Sequence, residues 1–106
     1  MNDTVYSIDE IQRRIHPVAL RHNVDKIYLF GSYARGEATG GSDIDLCVDA
    51  PRLKGLFALG GLYAALEDAL GKPLDLITVN SLKYNPDPQF IRELEKDRVL
   101  VYEYVQ

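Results

Sequence analysis

Gly31-Ser32-Tyr33-Ala34-Arg35-Gly36 and, after a polar loop, Ser42-Asp43-Ile44-Asp45-Leu46 combine residue types that bind phosphate with residue types that bind metal. Gly31 and Ser32 follow the apolar run Ile27-Tyr28-Leu29-Phe30, where a strand ends and a short helix begins, and such a junction offers free backbone N–H groups to an anion. Glycine lets the backbone come close to a phosphate, while the serine hydroxyl can cap the helix or donate to a phosphate oxygen. Asp43 and Asp45 alternate along Asp43-Ile44-Asp45-Leu46-Cys47-Val48, a strand by its period of two, so both carboxylates share one face. Like charges so placed repel each other unless a cation lies between them. Hard oxygen ligands favour magnesium, which completes its shell with water and substrate phosphate, so a nucleoside triphosphate is the expected third party.

Either half of this pattern alone has an ordinary explanation, a capped turn for Gly-Ser and a solvated edge for Asp-x-Asp. Their order, between two strands, is what points to a site.

These residues resemble the signature of the DNA polymerase β-like nucleotidyltransferase superfamily: Gly31-Ser32, a spacer, then Asp43-x-Asp45. With Ala34-Arg35-Gly36 and Ser42 the pattern is similar to the minimal nucleotidyltransferase (MNT) branch. Its members are small prokaryotic proteins, many of them antitoxins encoded beside a HEPN-domain ribonuclease toxin. The resemblance runs from about Ile8 to about Tyr104 and implies a third carboxylate on a later strand, which Asp75 in Leu74-Asp75-Leu76-Ile77-Thr78-Val79 supplies. Among competing acids, Asp49 lies roughly 13 Å beyond Asp45 at ~3.3 Å per strand residue. Asp25 belongs at the opposite end of the first strand, and Asp68 on the polar side of a helix.

The resemblance implies two magnesium ions held by Asp43, Asp45 and Asp75, with Gly31 and Ser32 on the β and γ phosphates. Asp75 would help to deprotonate the acceptor hydroxyl. The implied activity is transfer of AMP from ATP to a tyrosine of a HEPN toxin. The alternatives are an antitoxin that acts by covering the toxin, through Val99-Leu100-Val101-Tyr102 and the Leu56 to Leu70 helix, and transfer to a small molecule of the aminoglycoside kind. Arg35 is open between phosphate neutralisation and a structural ion pair. Ser42 is read as capping or orienting the Asp43 turn within the nucleotide-binding set. Tyr33 could stack on a base, but covering the neighbouring helix is the preferred reading, while Tyr28, Tyr63 and Tyr102 suit packing. His16 and His22 fall in the first helix and are not expected to bind metal.

Composition bounds the alternatives. The 106 residues, 46% apolar, are read as one soluble domain able to bury a core without disulfide or metal staples. The lone Cys47 suits a buried core thiol in a reducing cytosol. No signal-peptide pattern opens the chain, and no apolar run is long enough to span a bilayer. With 12 Lys and Arg against 16 Asp and Glu, the net charge of −4 disfavours binding to long nucleic acid.

The elements that must position the site follow from periodicity. Ser7-Ile8-Asp9-Glu10 is a capping box opening a helix from Ile8 toward His22, with Ile8, Ile11, Ile15 and Val18 as its apolar stripe and Pro17 expected to kink or split it. Lys26 to Phe30 is a strand, Ser32 to Arg35 a short helix, and Gly36 to Gly41 a pliable loop. Ala50-Pro51 ends the second strand. A long helix presents Leu56, Leu59, Tyr63, Leu66 and Leu70 on one face and stops at Gly71, with Gly60-Gly61 explained either by close packing or by a bend. Tyr84-Asn85-Pro86-Asp87-Pro88 is a loop in which Asp87 caps a helix carrying Phe90, Ile91 and Leu94, and Val99 to Tyr104 is a final extended run. The order predicts an α/β sandwich, a small mixed sheet flanked by helices. The resemblance implies the nucleotidyltransferase core.

Overall fold

Short extended runs joined by a short helix with its loop and by two helical crossovers give a four-stranded mixed sheet. A computed structural model describes residues 3–84 and 87–105. In chain order the elements are α1 (Ile8–Arg21), β1 (Lys26–Phe30), α2 (Gly31–Arg35), β2 (Ile44–Asp49), α3 (Gly55–Leu70), β3 (Leu74–Thr78), a 3-10 turn (Asn80–Tyr84), α4 (Pro88–Asp97) and β4 (Val99–Glu103). The sheet order is β3-β2-β1-β4, with β1 antiparallel to β2 and β4, and β2 parallel to β3. The parallel pair requires a crossover, and α3 supplies it. Among the described residues no helix is long and apolar enough to cross a membrane.

One face of the sheet is covered. Ile27 and Leu29, then Ile44, Leu46 and Val48, meet Ile11, Ile15 and Val18 of α1 and Leu62, Leu66 and Leu70 of α3 in one core. Each fully buried leucine or isoleucine there contributes about 2 kcal/mol of transfer free energy. The other face carries Tyr28, Phe30, Asp45, Asp75 and Leu100. It is only partly covered: Phe90 of α4 meets Phe30 edge to face at 6.4 Å, and Arg98 lies over the Tyr28 ring at 4.6 Å.

Helix ends follow the sequence closely. The Ser7 side chain accepts from the Glu10 N–H at 3.1 Å, Asp87 caps α4 with Pro88 at its first turn, and Gly71 closes α3 in the left-handed conformation. Asn85 and Pro86 of the loop before Asp87 lie outside the described residues.

Three expectations change. Pro17 does not split α1, because it sits on the exposed side, where the carbonyl it leaves unpaired can face water. The buried stripe of α3 is Leu62, Leu66 and Leu70, whereas Leu56 is 85% exposed and Tyr63 lies at the rim. α3 runs unbroken through Gly60 and Gly61, and neither marks a close packing contact: a side chain at Gly60 would meet nothing within 4 Å, and one at Gly61 only the His22 ring at 4.0 Å.

Candidate active site

β1 runs straight into α2, so the last strand residue, Phe30, stands beside Asp45 of β2, and Asp45 in turn stands beside Asp75 of β3. Side chains at matched positions of neighbouring strands share a face, which puts Asp45 and Asp75 next to each other on the open side of the sheet. Gly31 turns away from β1 with a φ of 72°, and a Cβ there would run into the Asp45 carboxylate. Both reasons demand glycine, one for backbone conformation and the other for space. The Gly31-Ser32 turn and the acid pair are therefore one site.

The electrostatics are those of crowded carboxylates. Burial first, then the charge of Asp75, a hydrogen bond with it and the charge of Asp43 push the Asp45 carboxyl up to about 6, with Arg35 pulling the other way. Asp43 is exposed and stands one residue before β2, not inside it. Its turn is set by Ser42, whose Oγ accepts from the Thr39 N–H at 2.9 Å while the Ser42 N–H donates to the Thr39 carbonyl at 3.0 Å. Ser42 thus orients the turn. Arg35 donates to Glu37 at 2.7 Å and reaches Asp97 of α4 at 3.5 Å, an exposed ion-pair network that also brings its charge within range of Asp45.

Among the described residues no group of three His, Cys, Asp or Glu side chains forms a preassembled metal cluster. Asp45 and Asp75 are in contact, with Asp43 acting from the exposed end of the strand. The donor set nevertheless suits a hard divalent ion: it is all oxygen, open to solvent on one side, and a cation between the acids would remove the repulsion that raises Asp45.

The competing acids are remote. Asp25 pairs with Arg52 at 3.0 Å, and the Asp25 N–H donates to the Asp49 carbonyl, so both acids belong to the far end of the sheet. A groove of about 590 Å³ at that end, lined in part by Leu53, Leu59, Val79 and Lys83, is likewise separate from the acid pair.

Sequence reasoning missed two residues beside the site. The Tyr63 hydroxyl donates to the Leu74 carbonyl at 3.1 Å, and desolvation, then Glu67, Asp75 and Asp43, raise its pKa. Lys72 is 3% exposed and donates to the Thr4 carbonyl, the Tyr33 hydroxyl and the Gly40 carbonyl at 2.6, 3.2 and 3.2 Å. Tyr33 is itself buried, so it covers the interior rather than offering a ring to a base. No local pattern flags Lys72, because its partners are 68, 39 and 32 residues away.

Known proteins resemble this chain in sequence and fold. The sequence profile of the nucleotidyltransferase domain family matches residues 10–101. A protein of Methanocaldococcus jannaschii, named as a proposed protein adenylyltransferase, is 43% identical over 94 residues, covering 89% of this chain and 91% of that one. The protein adenylyltransferase MntA of Thermococcus cleftensis is 39% identical over 74 residues, covering 70% and 75%. A solved complex of a tri-AMPylated HEPN toxin of Shewanella oneidensis with an MNT antitoxin contains a chain of like fold, with a TM-score of 0.62 and 22% identity over 89% of this chain and 71% of that one.

Proposed function

The chain belongs to the nucleotidyltransferase family, and from that premise we propose that it is a magnesium-dependent antitoxin that moves AMP from ATP to a tyrosine of a HEPN-domain ribonuclease toxin. The observation that carries this reading is the contact of Gly31 with Asp45, itself in register with Asp75, which joins a phosphate turn to a pair of acids. The name of the Thermococcus relative supports the reaction, and the Shewanella complex supports the partner. A buried lone thiol at Cys47 accords with work in a reducing cytoplasm.

Asp43, Asp45 and Asp75 would hold the metal. Magnesium, when bound there, supplies charge neutralisation on the triphosphate and acidifies the attacking hydroxyl. Gly31 and Ser32 orient the β and γ phosphates through the backbone at the start of α2, fixing the leaving group in line with the acceptor. The tyrosine oxygen bonds to the α-phosphorus as the bond from that phosphorus to the bridging oxygen breaks. Pyrophosphate leaves and the phenolic proton passes to Asp75, the exposed member of the pair at the edge of the sheet. Arg35, tied to Glu37 and Asp97, offsets part of the negative charge.

Intact mass spectrometry of the toxin after incubation with this chain, ATP and magnesium tests the proposal, with an Asp43→Ala, Asp45→Ala double variant alongside. A gain in whole AMP units with the parent chain alone supports it. No gain, with the toxin silenced by both chains, would instead make the protein a masking antitoxin, for which Leu56 and Phe57, 85% and 99% exposed at the start of α3, offer an apolar contact.

A further inference from the structure

Lys72 is a buried cation whose hydrogen bonds among the described residues go to two backbone carbonyls and a phenol, not to a carboxylate. Three features make such burial tolerable. It follows Gly71 at the C-terminal end of α3, where the helix dipole is negative. Its ammonium lies 5.8 Å from the ring centres of both Tyr6 and Tyr33. All three N–H bonds are used.

The partners belong to three separate segments of the chain. Tyr33 is in the phosphate turn, Gly40 in the loop that delivers Asp43, and Thr4 in the segment leading to α1. That leading segment is pressed onto the loop, since a Cβ at Gly40 would come within 2.6 Å of the Asp3 carbonyl oxygen. It is anchored farther on by the Tyr6 hydroxyl, which donates to the Leu70 carbonyl at 2.7 Å. A loop of small and polar residues (36–41) has little apolar surface of its own with which to hold a shape.

We propose that Lys72 is a positioning residue for nucleotide transfer: its ammonium locks the phosphate turn to the loop before Asp43, holding Ser32 and Asp43 in one fixed relation. This rests on the function proposed above for the same site. Free of the latch, the loop samples other arrangements, and MgATP must select the competent one, which weakens apparent affinity by the fraction of time the loop is competent.

The test compares the parent chain with Lys72→Met and Lys72→Arg, reading amide hydrogen exchange, KM for MgATP and kcat. In Lys72→Met the amides of residues 36–43 exchange about tenfold faster, as loss of a charged donor to buried acceptors predicts, while those of β1 and β2 keep their parent rates. KM rises by a similar factor, kcat falls less, and Lys72→Arg recovers part of both the protection and the KM. Uniformly faster exchange throughout the sheet, or unchanged loop exchange and KM, overturns the proposal. Should Lys72→Met fail to fold, Tyr33→Phe removes one acceptor and keeps the ring, and faster exchange confined to residues 36–43 is expected again. If the parent chain transfers no AMP, the functional reading fails, and the exchange pattern alone decides the latch.

Discussion

Replacing Asp45 by asparagine should stabilise the metal-free protein while removing its activity. The Asp45 carboxyl is raised from 3.8 to about 6, so the folded state holds that proton more tightly than the unfolded chain does. The sign follows from linkage: the stabilisation is fully present below the unfolded value and is lost as pH rises through the folded one. At about 1.4 kcal/mol per unit, the full difference would be about 3 kcal/mol at neutral pH. Asp45 is only partly buried and Asp43 and Asp75 are exposed, so solvent screening reduces this to about 1–2 kcal/mol. Asparagine has no charge to bury and can donate to Asp75. Thermal unfolding in chelator at pH 7.5 should therefore show a midpoint roughly 5–10 °C higher for Asp45→Asn. The gain should shrink to about half at pH 5 and about a fifth at pH 4, and vanish only well below the unfolded value of 3.8, where the parent Asp45 is protonated in both states. Adding magnesium should raise the parent midpoint at pH 7.5 and leave Asp45→Asn nearly unmoved. A variant less stable than the parent at pH 7.5 in chelator, or one whose gain does not depend on pH, would refute the reasoning.

Two further outcomes follow from the same geometry. Gly31→Ala combines a strained φ with a collision against the Asp45 carboxylate, and should cost about 1–3 kcal/mol in denaturant unfolding and at least about a hundredfold in AMP transfer. Burial pushes the Cys47 thiol up to about 11, so Cys47 should resist thiol reagents at pH 8 in the folded protein and react at the rate of a free cysteine once urea unfolds it. Fast labelling without denaturant would contradict the burial of Cys47 beneath the partial cover of that sheet face.

The strands and the placing of Gly31 beside an acid of the next strand were legible in the sequence because both rest on local patterns. An apolar run placed β1 and period-two alternation placed β2 within a residue or two, while β3 followed from the third acid that the resemblance implied, which needed only a parallel neighbour to stand beside Asp45. The face of α3 was legible only in its second half: Leu66 and Leu70 are buried as expected, but Leu59 with Tyr63 and Leu62 with Leu66 both satisfy helical spacing. Only packing against α1 selects the second set, and it leaves Leu56 and Phe57 without cover. The 3-10 turn at Asn80–Tyr84 escaped for a different reason. It is started by Thr78 and Ser81, whose side chains bond the backbone across three residues, and it has no apolar period to betray it. Arg35 was open between two roles, and the ion pairs with Glu37 and Asp97 account for its placement without a nucleotide.

Two charges in this fold are placed where neither gains from the other, and their separation is instructive. Asp45 is crowded by acids on the open face, while Lys72, three residues before Asp75, spends its donors on carbonyls and a phenol beneath the phosphate turn. A lysine paired with Asp45 would lower its pKa and stabilise the apo protein, but it would also occupy the oxygens that a divalent ion needs. The short helix α2 keeps them apart: Gly31 at its start lies against Asp45, and Tyr33, two residues later, is buried against Lys72. The anionic pair is thereby left unsatisfied toward solvent, and the loop that completes it is braced from behind. On this account a substitution that let the two charges meet would give a more stable protein that binds metal less well, so stability in chelator and affinity for magnesium should move in opposite directions.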